Sequence, residues 1–200
     1  MSVALTKSRF TNALRCYASY ALGLLGSVHL AHGPLFVSVE PASVCQLHCP
    51  ECPVGKRNGR KTEGENLMSR EVWVRVLKEA TPTAFVMQFY FQGEPLLNKE
   101  LPQMIREAHE AGLYTIVSTN AQAMTEEMAE ALVQSGLDRI IVSMDGLTPE
   151  TYNAYRIGGN LEHCKSALCY LRQSKIKNQK SKIIIELQCL RLRSNEHEWA

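Results

Sequence analysis

Apolar positions in this chain keep changing period, between helical spacing and short, nearly continuous apolar runs. Leu14, Tyr17, Ala18, Ala21, Leu22, Leu25 and Val28 recur at helical spacing. They predict an amphipathic helix within residues 1–33, packed on the domain and ending near Gly33-Pro34. Leu35 to Glu40 reads as a first strand, and Gly55 to Asn66 as a polar loop with Lys56, Arg57, Arg60 and Lys61. Ser69 is placed to cap a helix with Val72, Trp73, Val76, Leu77 and Ala80 on one face, and Pro82 stops it. Ala84 to Phe91 has strand character. Asn98 caps a helix carrying Leu101, Ile105 and Ala108, closed by Gly112. Tyr114 to Ser118 is a third strand, followed by a helix from Thr125 to Gly136; Arg139 to Met144 is a fourth strand. Thr148-Pro149 opens a short helix with Pro at its first position, and a longer one carries Leu161, Cys164, Leu168 and Leu171. Lys175 to Lys182 is a polar loop, Ile183 to Leu190 a fifth strand, and a last helix begins near Ser194.

Strands alternating with helices argue for an α/β fold of parallel βαβ units. Right-handed crossovers put every strand's C-terminal end on one edge, where parallel α/β folds bind ligands. The polar turns that follow the strands therefore matter most for function.

Length and composition narrow the picture further. Two hundred residues suit one domain with an appendage, and a net charge of +2 points to no nucleic acid and no membrane. Lys7, Arg9 and Arg15 before the apolar stretch Tyr17 to Leu30 give the outline of a signal peptide. Ser19, Tyr20, Ser27 and His29 interrupt that stretch, no A-x-A-like site follows, and it is too broken to span a bilayer. A docked helix without stable membrane insertion is the expectation, with peripheral contact the alternative. Seven cysteines, an odd number without a small-secreted-domain pattern, argue against a disulfide framework.

The chemistry is concentrated in Cys45-Gln46-Leu47-His48-Cys49-Pro50-Glu51-Cys52-Pro53, directly after the first strand. Three thiolates at CxxxCxxC spacing suit three corners of a 4Fe–4S cluster, leaving one iron open. Pro50 and Pro53 hold their preceding residues extended, so this loop should not wind into a helix. Cys45, Cys49 and Cys52 with His48 could also supply a Cys3His zinc site, and that lesser alternative stays open on spacing alone. Reduced thiols point to the cytoplasm. Cys16, Cys164, Cys169 and Cys189 lack cluster spacing and read as small buried hydrophobes, and Met87, Met104, Met124 and Met128 as core fillers.

This loop at the end of a first strand resembles the radical S-adenosylmethionine (radical SAM) superfamily, and further stretches resemble that family in order. Gly93-Glu94-Pro95 is similar to its GGEP turn, with Gln92 in place of the first glycine. Ser118-Thr119-Asn120 is similar to its ribose segment, and Ser143-Met144-Asp145-Gly146 to its S-h-D-G segment. Tyr155-Arg156-Ile157-Gly158-Gly159 resembles the run that often follows, and Gln188 sits in the fifth strand where relatives often contact the cofactor. The resemblance implies a partial (β/α)6, open TIM-like barrel of five parallel strands. Cys45, Cys49 and Cys52 would be metal-binding and catalytic. Gly93, Glu94, Pro95, Ser118, Asn120, Ser143, Asp145, Arg156 and Gln188 would hold S-adenosyl-L-methionine. Asp145-Gly146 also reads as an ordinary turn, and Arg156 either reaches a carboxylate of the cofactor or braces Asp145.

The implied activity is cluster-dependent reductive cleavage of S-adenosylmethionine to a 5′-deoxyadenosyl radical, with an external electron donor. The nearest branch of the family carries a SPASM-type domain, which suggests a peptide or protein substrate. The expected division is an appended helix over residues 1–33 and a core over 34–200. Because the sequence stops at Trp199-Ala200, that core is expected to be incomplete at its C-terminus. A non-catalytic iron–sulfur or zinc-binding module is the alternative to the enzyme.

Overall fold

A computed structural model describes residues 3–28, 32–56 and 66–199. Five strands, β1 (Phe36–Ser38), β2 (Val86–Gln88), β3 (Tyr114–Thr119), β4 (Arg139–Ser143) and β5 (Ile184–Gln188), form one sheet in sequence order. Every neighbouring pair is parallel. The helices are α1 (Lys7–Leu24), α2 (Pro53–Lys56), α3 (Arg70–Ala80), α4 (Leu101–Glu110), α5 (Glu126–Gln134), α6 (Pro149–Tyr155) and α7 (Leu161–Lys177). Pro95–Leu97 and Glu196–Trp199 are 3₁₀ turns. The sheet is open, with β1 and β5 at its edges, as expected of a partial TIM-like barrel.

Side chains alternate across a strand, so parallel registration aligns two faces. Met87, Val117, Ile140 and Val142 lie on one face and are fully buried with Trp73, Leu101, Ile105, Leu132 and Leu171 from the helices. The opposite face carries Phe36, Ser38, Ile116, Ser118, Ile141, Ser143 and Ile184, all exposed or half-buried. Helices cover one layer only, and the opposite face stays open.

Caps follow the sequence closely at several helix starts. Ser69, Thr125 and Thr148 accept backbone N–H bonds from Val72, Met128 and Thr151, and Thr148 and Thr151 form a reciprocal capping box. At α4 the expected cap lies two residues early: Asn98 Oδ1 accepts from Glu100 N, and Glu100 at the N-cap makes no side-chain bond. The loop expected over Gly55 to Asn66 falls mostly outside the described residues, its basic Arg57, Arg60 and Lys61 included. Of the other cysteines, Cys164 is buried, Cys16 and Cys189 are half-buried, and Cys169 is exposed, which corrects the expectation for Cys169.

The N-terminal helix departs from expectation in two ways. It ends at Leu24, not near Gly33, and it presents its apolar side outward. Leu14 is 55% exposed, Tyr17 73%, Leu25 83% and Val28 93%. Arg9, Asn12 and Ser19 are the buried positions instead. The reason lies in what α1 meets. The last carbonyls of a helix have no intrahelical partner. The Arg9 guanidinium donates to Thr81 O (3.1 Å) past the end of α3, and to Ala111 O and Gly112 O (both 2.8 Å) past the end of α4. A cation also suits the negative end of two helix dipoles. Asn12 Nδ2 donates to Gly33 O and its Oδ1 accepts from Gly33 N, pinning the chain before β1. The docking surface is thus polar, so the polar stripe docks.

A second clamp joins α3 to α4. Glu107 accepts both terminal nitrogens of Arg70 (2.7 Å each), Trp73 Nε1 (2.7 Å) and Gln103 Nε2 (2.8 Å). Led by the Arg70 bonds and opposed by burial, these hold its carboxyl at about 2, against an ordinary 4.5. The stability from this clamp is therefore complete above the ordinary value and is lost as pH falls toward the depressed one. Because Arg70 is half in water, Glu107→Gln is expected to cost about 1–2 kcal/mol at neutral pH. Urea titrations of both proteins at falling pH check this. The gap between them should close on acidification through that window, and a constant gap would mean that Glu107 acts by packing alone.

Candidate functional site

Three turns converge at the C-terminal edge of β1, β2 and β3. The chain leaves β1 through the cysteine loop, whose residues 45–52 are non-helical as expected; only at Pro53 does the single turn of α2 begin. Glu94 N donates to Val44 O (2.8 Å), and His48 N to Ile157 O (2.9 Å), fixing the loop to the β2 turn and to the segment after α6. Glu40, at the end of β1, was not foreseen as part of the site. Its Oε1 accepts from Gln92 N (2.7 Å) and Gly93 N (2.8 Å), so it shapes the turn that follows β2. A Cβ on Gly93 would stand 1.9 Å from Ala42 O, so close approach of two backbones requires glycine there. Gln92 keeps an ordinary negative φ, which is why a side chain is tolerated at that place.

Glu94 is the buried centre of this edge, 2% exposed. Its Oε1 accepts from Thr119 Oγ1 (2.6 Å) and Leu96 N (3.1 Å), and its Oε2 from Asn120 N (2.8 Å). Burial pushes the carboxyl up from its ordinary value, and the three donors oppose that shift. Thr119 thus emerges as a site residue. The alternation of β3 puts it on the helix-facing side, where a threonine reads as core. Ala121 follows with φ 62°, a left-handed conformation, held by its N–H to Thr119 Oγ1. Asn120 is turned toward the cysteines: Nδ2 donates to Cys45 Sγ (3.3 Å), while Oδ1 accepts from Gln46 Nε2 (3.2 Å) and Gln122 N (2.9 Å).

Cys45, Cys49 and Cys52 are all free thiols. Cys45 Sγ also accepts from Leu47 N (3.4 Å). Burial pushes the Cys45 thiol up to about 11 and raises Cys49, where the nearby Arg156 guanidinium opposes the shift. Arg156 Nε donates to Asp145 Oδ2. Asp145 Oδ1 in turn accepts from Leu190 N (2.7 Å), and Asp145 O from Asn195 Nδ2 (2.9 Å). Of the two roles open to Arg156, the brace with Asp145 is formed.

These residues surround one cavity of about 210 Å³. Cys45, Cys49, Cys52, Gly93, Glu94, Ser118, Asn120, Ser143 and Arg156 all line it, as do Tyr90, Phe91, Thr119 and Tyr155, which the sequence had not singled out as site residues. Three of the expected residues do not. Pro95 is buried as the first residue of a 3₁₀ turn. Asp145 is buried behind Arg156. Gln188 pairs in register with Ser143 on the same sheet face but is exposed on edge strand β5. Glu186, on that face too, lies 3.4 Å from Arg139 Nε.

The three thiols are the donor type that an iron–sulfur cluster takes. They line one cavity, with N–H donors beside Cys45, and hydrogen bonds to sulfur are a means by which proteins tune such clusters. Thiols raised by burial keep their protons until metal displaces them, which couples loading to proton release. His48, the fourth ligand of the zinc alternative, is exposed and does not line the cavity. Among the described residues no three His, Cys, Asp or Glu side chains, the three cysteines included, are grouped to hold a metal ion.

Comparison with known proteins gives the same direction. The family profile described as the Radical SAM superfamily matches residues 39–186. A PqqA peptide cyclase of Granulibacter bethesdensis is 32% identical over 127 residues, covering 63% of this chain and 32% of its own. A probable GTP 3′,8-cyclase of Methanococcus maripaludis is 32% identical over 132 residues, covering 66% of this chain and 43% of its own. Among solved structures, Streptococcus suis SuiB bound to the precursor peptide SuiA superposes with a TM-score of 0.61 at 19% identity, over 83% of this chain and 35% of that one. AnSMEcpe with bound AdoMet superposes with a TM-score of 0.60 at 20% identity, over 78% of this chain and 42% of that one. These structural likenesses bear on the fold. The chain spans well under half the length of these relatives and neighbours.

The Glu94 network makes a testable demand. Thr119→Val keeps the side-chain shape but leaves Glu94 Oε1 one donor short in a buried place. It is expected to cost about 1–3 kcal/mol of stability, read as a lower urea midpoint at unchanged slope, with Thr119→Ser close to wild type. Equal stability of the Val and Ser variants would show that the bond contributes nothing.

Proposed function

The chain belongs to the radical SAM superfamily, and from that premise we propose that it binds a 4Fe–4S cluster and S-adenosylmethionine and cleaves the latter reductively. The single observation that carries this reading is the shared cavity, lined by three free cysteines, the Gly93-Glu94 turn, Ser118 and Ser143. Cys45, Cys49 and Cys52 would hold the cluster. When bound, it would supply one electron, taken from an external donor, to break the S–C5′ bond and give a 5′-deoxyadenosyl radical.

The chain's own groups suit the cofactor's parts. The turn at Gly93, kept free of side chain by Ala42 O, offers backbone acceptors to an ammonium, and the nearby Glu94 charge favours a cation. Pro95 fixes the exit of that turn. Ser118 and Ser143 present hydroxyls from one sheet face, at hand for ribose or carboxylate oxygens, with Gln188 next to Ser143 at the strand edge. Asp145 orients Arg156, which lines the cavity together with the three cysteines and would serve there as an anion partner. Asn120 Nδ2 donates to Cys45 Sγ, a bond that would also serve the thiolate of a metal-bound Cys45. Tyr90 and Phe91 stand at the rim, where they would shield the radical from water.

A peptide or protein side chain is the proposed substrate class. A relative named as a peptide cyclase and a neighbour solved with a precursor peptide support it, as does the open face of the sheet. Reduced thiols at a cluster site make the cytoplasm the proposed location.

The test is anaerobic purification and reconstitution, with iron, sulfide and zinc measured per chain, then mass-spectrometric detection of 5′-deoxyadenosine after reduction. Iron and sulfide in cluster proportion, and 5′-deoxyadenosine that is lost in Cys49→Ala, are expected. Stoichiometric zinc with negligible sulfide would overturn the cluster. An intact cluster that binds no S-adenosylmethionine and yields no product would leave a non-catalytic module.

A further inference from the structure

The outward face of α1 carries an inference independent of the cavity. Phe10, Leu14, Tyr17 and Leu24 recur at intervals of four, three and seven residues, along one side of the helix. They are between 50% and 73% exposed, opposite the buried stripe of Arg9, Asn12 and Ser19. From Tyr20 to Val28 every residue is exposed, and from Cys16 to Val28 none is charged. A contiguous apolar patch of this kind marks a surface that something covers.

Charge selects what covers it. Residues 1–39 contain Lys7, Arg9 and Arg15 and no Asp or Glu. Arg9 is buried on the ends of α3 and α4, while Lys7 and Arg15 are exposed; Lys7 borders the apolar stripe and Arg15 lies farther round the helix on the same side. Two copies meeting along α1 would bring these cations together with no acid in the segment to answer them. An anionic lipid surface complements both the charge and the apolar stripe. Tyr17 and Tyr20 suit the headgroup level, where amphipathic rings collect.

The helix ends in an ordinary glycine cap: Leu25 N and Ser27 N donate to Leu22 O and Gly26 N to Gly23 O, with Gly26 left-handed at φ 82°. Among the described residues no helix is long and apolar enough to cross a membrane.

We propose that α1 is a monotopic anchor, laying Phe10, Leu14, Tyr17 and Leu24 into the headgroup layer of a membrane that bears anionic phospholipid. Arg9, locked onto the carbonyls of α3 and α4, ties the domain to that anchor.

The experiment is flotation of the full chain with phosphatidylcholine vesicles and with vesicles that also contain phosphatidylserine. Wild type is expected to float with the anionic vesicles, and less so in high salt. Leu14→Asp/Leu24→Asp should reduce binding about tenfold or more, and Lys7→Glu/Arg15→Glu should do so for the anionic vesicles alone. Since these positions are exposed, thermal melts should match wild type. Leu24→Trp keeps the face apolar, and its emission should move to the blue on anionic vesicles. Failure to float with anionic vesicles, or full binding by the double Asp variant, would overturn the proposal. So would a wild-type dimer that Leu24→Asp dissolves while vesicles bind neither protein, because the face would then belong to a second copy.

Discussion

Removing a carboxyl group from water is costly; burial pushes the Glu94 carboxyl up from its ordinary value, and three donors oppose that shift. Thr119, Asn120 and Leu96 supply them, from the end of β3 and from the turn that carries Glu94 itself. The bonds do more than neutralise a cost. They set the height of the β2 turn against the β3 turn, and the Glu94 N–H to Val44 O bond carries that setting into the cysteine loop. Glu40 and Asp145 repeat the device on either side, each with acceptor oxygens turned to backbone donors of a neighbouring turn. The edge that bears the chemistry is thus held by buried Glu94 and Asp145 and half-buried Glu40, where strand pairing has ended.

The same logic explains the N-terminal helix. Helices end with unpaired carbonyls, and α3 and α4 end side by side where Arg9 can reach both. One guanidinium satisfies them and fixes α1 in place. Since the docking surface asks for donors, the stripe that faces it is polar, and the apolar residues are left outside. Hydrophobic burial, the usual cause of helix docking, is here overruled by the need to pair backbone carbonyls.

The helices cover one face of the sheet and leave the other open between edge strands β1 and β5. That open face puts Ser118 and Ser143 in the cavity with the three cysteines and leaves Gln188 at the margin. It also holds the Arg139–Glu186 pair in a half-exposed place, where it is screened.

The order and type of the elements were legible from the sequence because hydrophobic period and cap chemistry are local. Ser69, Thr125 and Thr148 sit where their caps are, and each strand was found to within a few residues. The cysteine spacing and the turn at Gly93-Glu94-Pro95 were legible for the same reason, as was the gathering of these turns on one edge, which parallel topology dictates. Other features depended on distant partners. Glu40 and Thr119 are ordinary residues in sequence, and only the approach of β1, β2 and β3 makes one shape a turn and the other satisfy a buried acid. Asp145 was read as facing a cofactor, but Arg156 and Leu190 claim its oxygens from afar. The helical period of α1 was visible, but its inward face was not. Periodicity reports that a helix has two faces; which one docks is decided by the surface it meets, and that surface is made by the ends of two helices far along the chain.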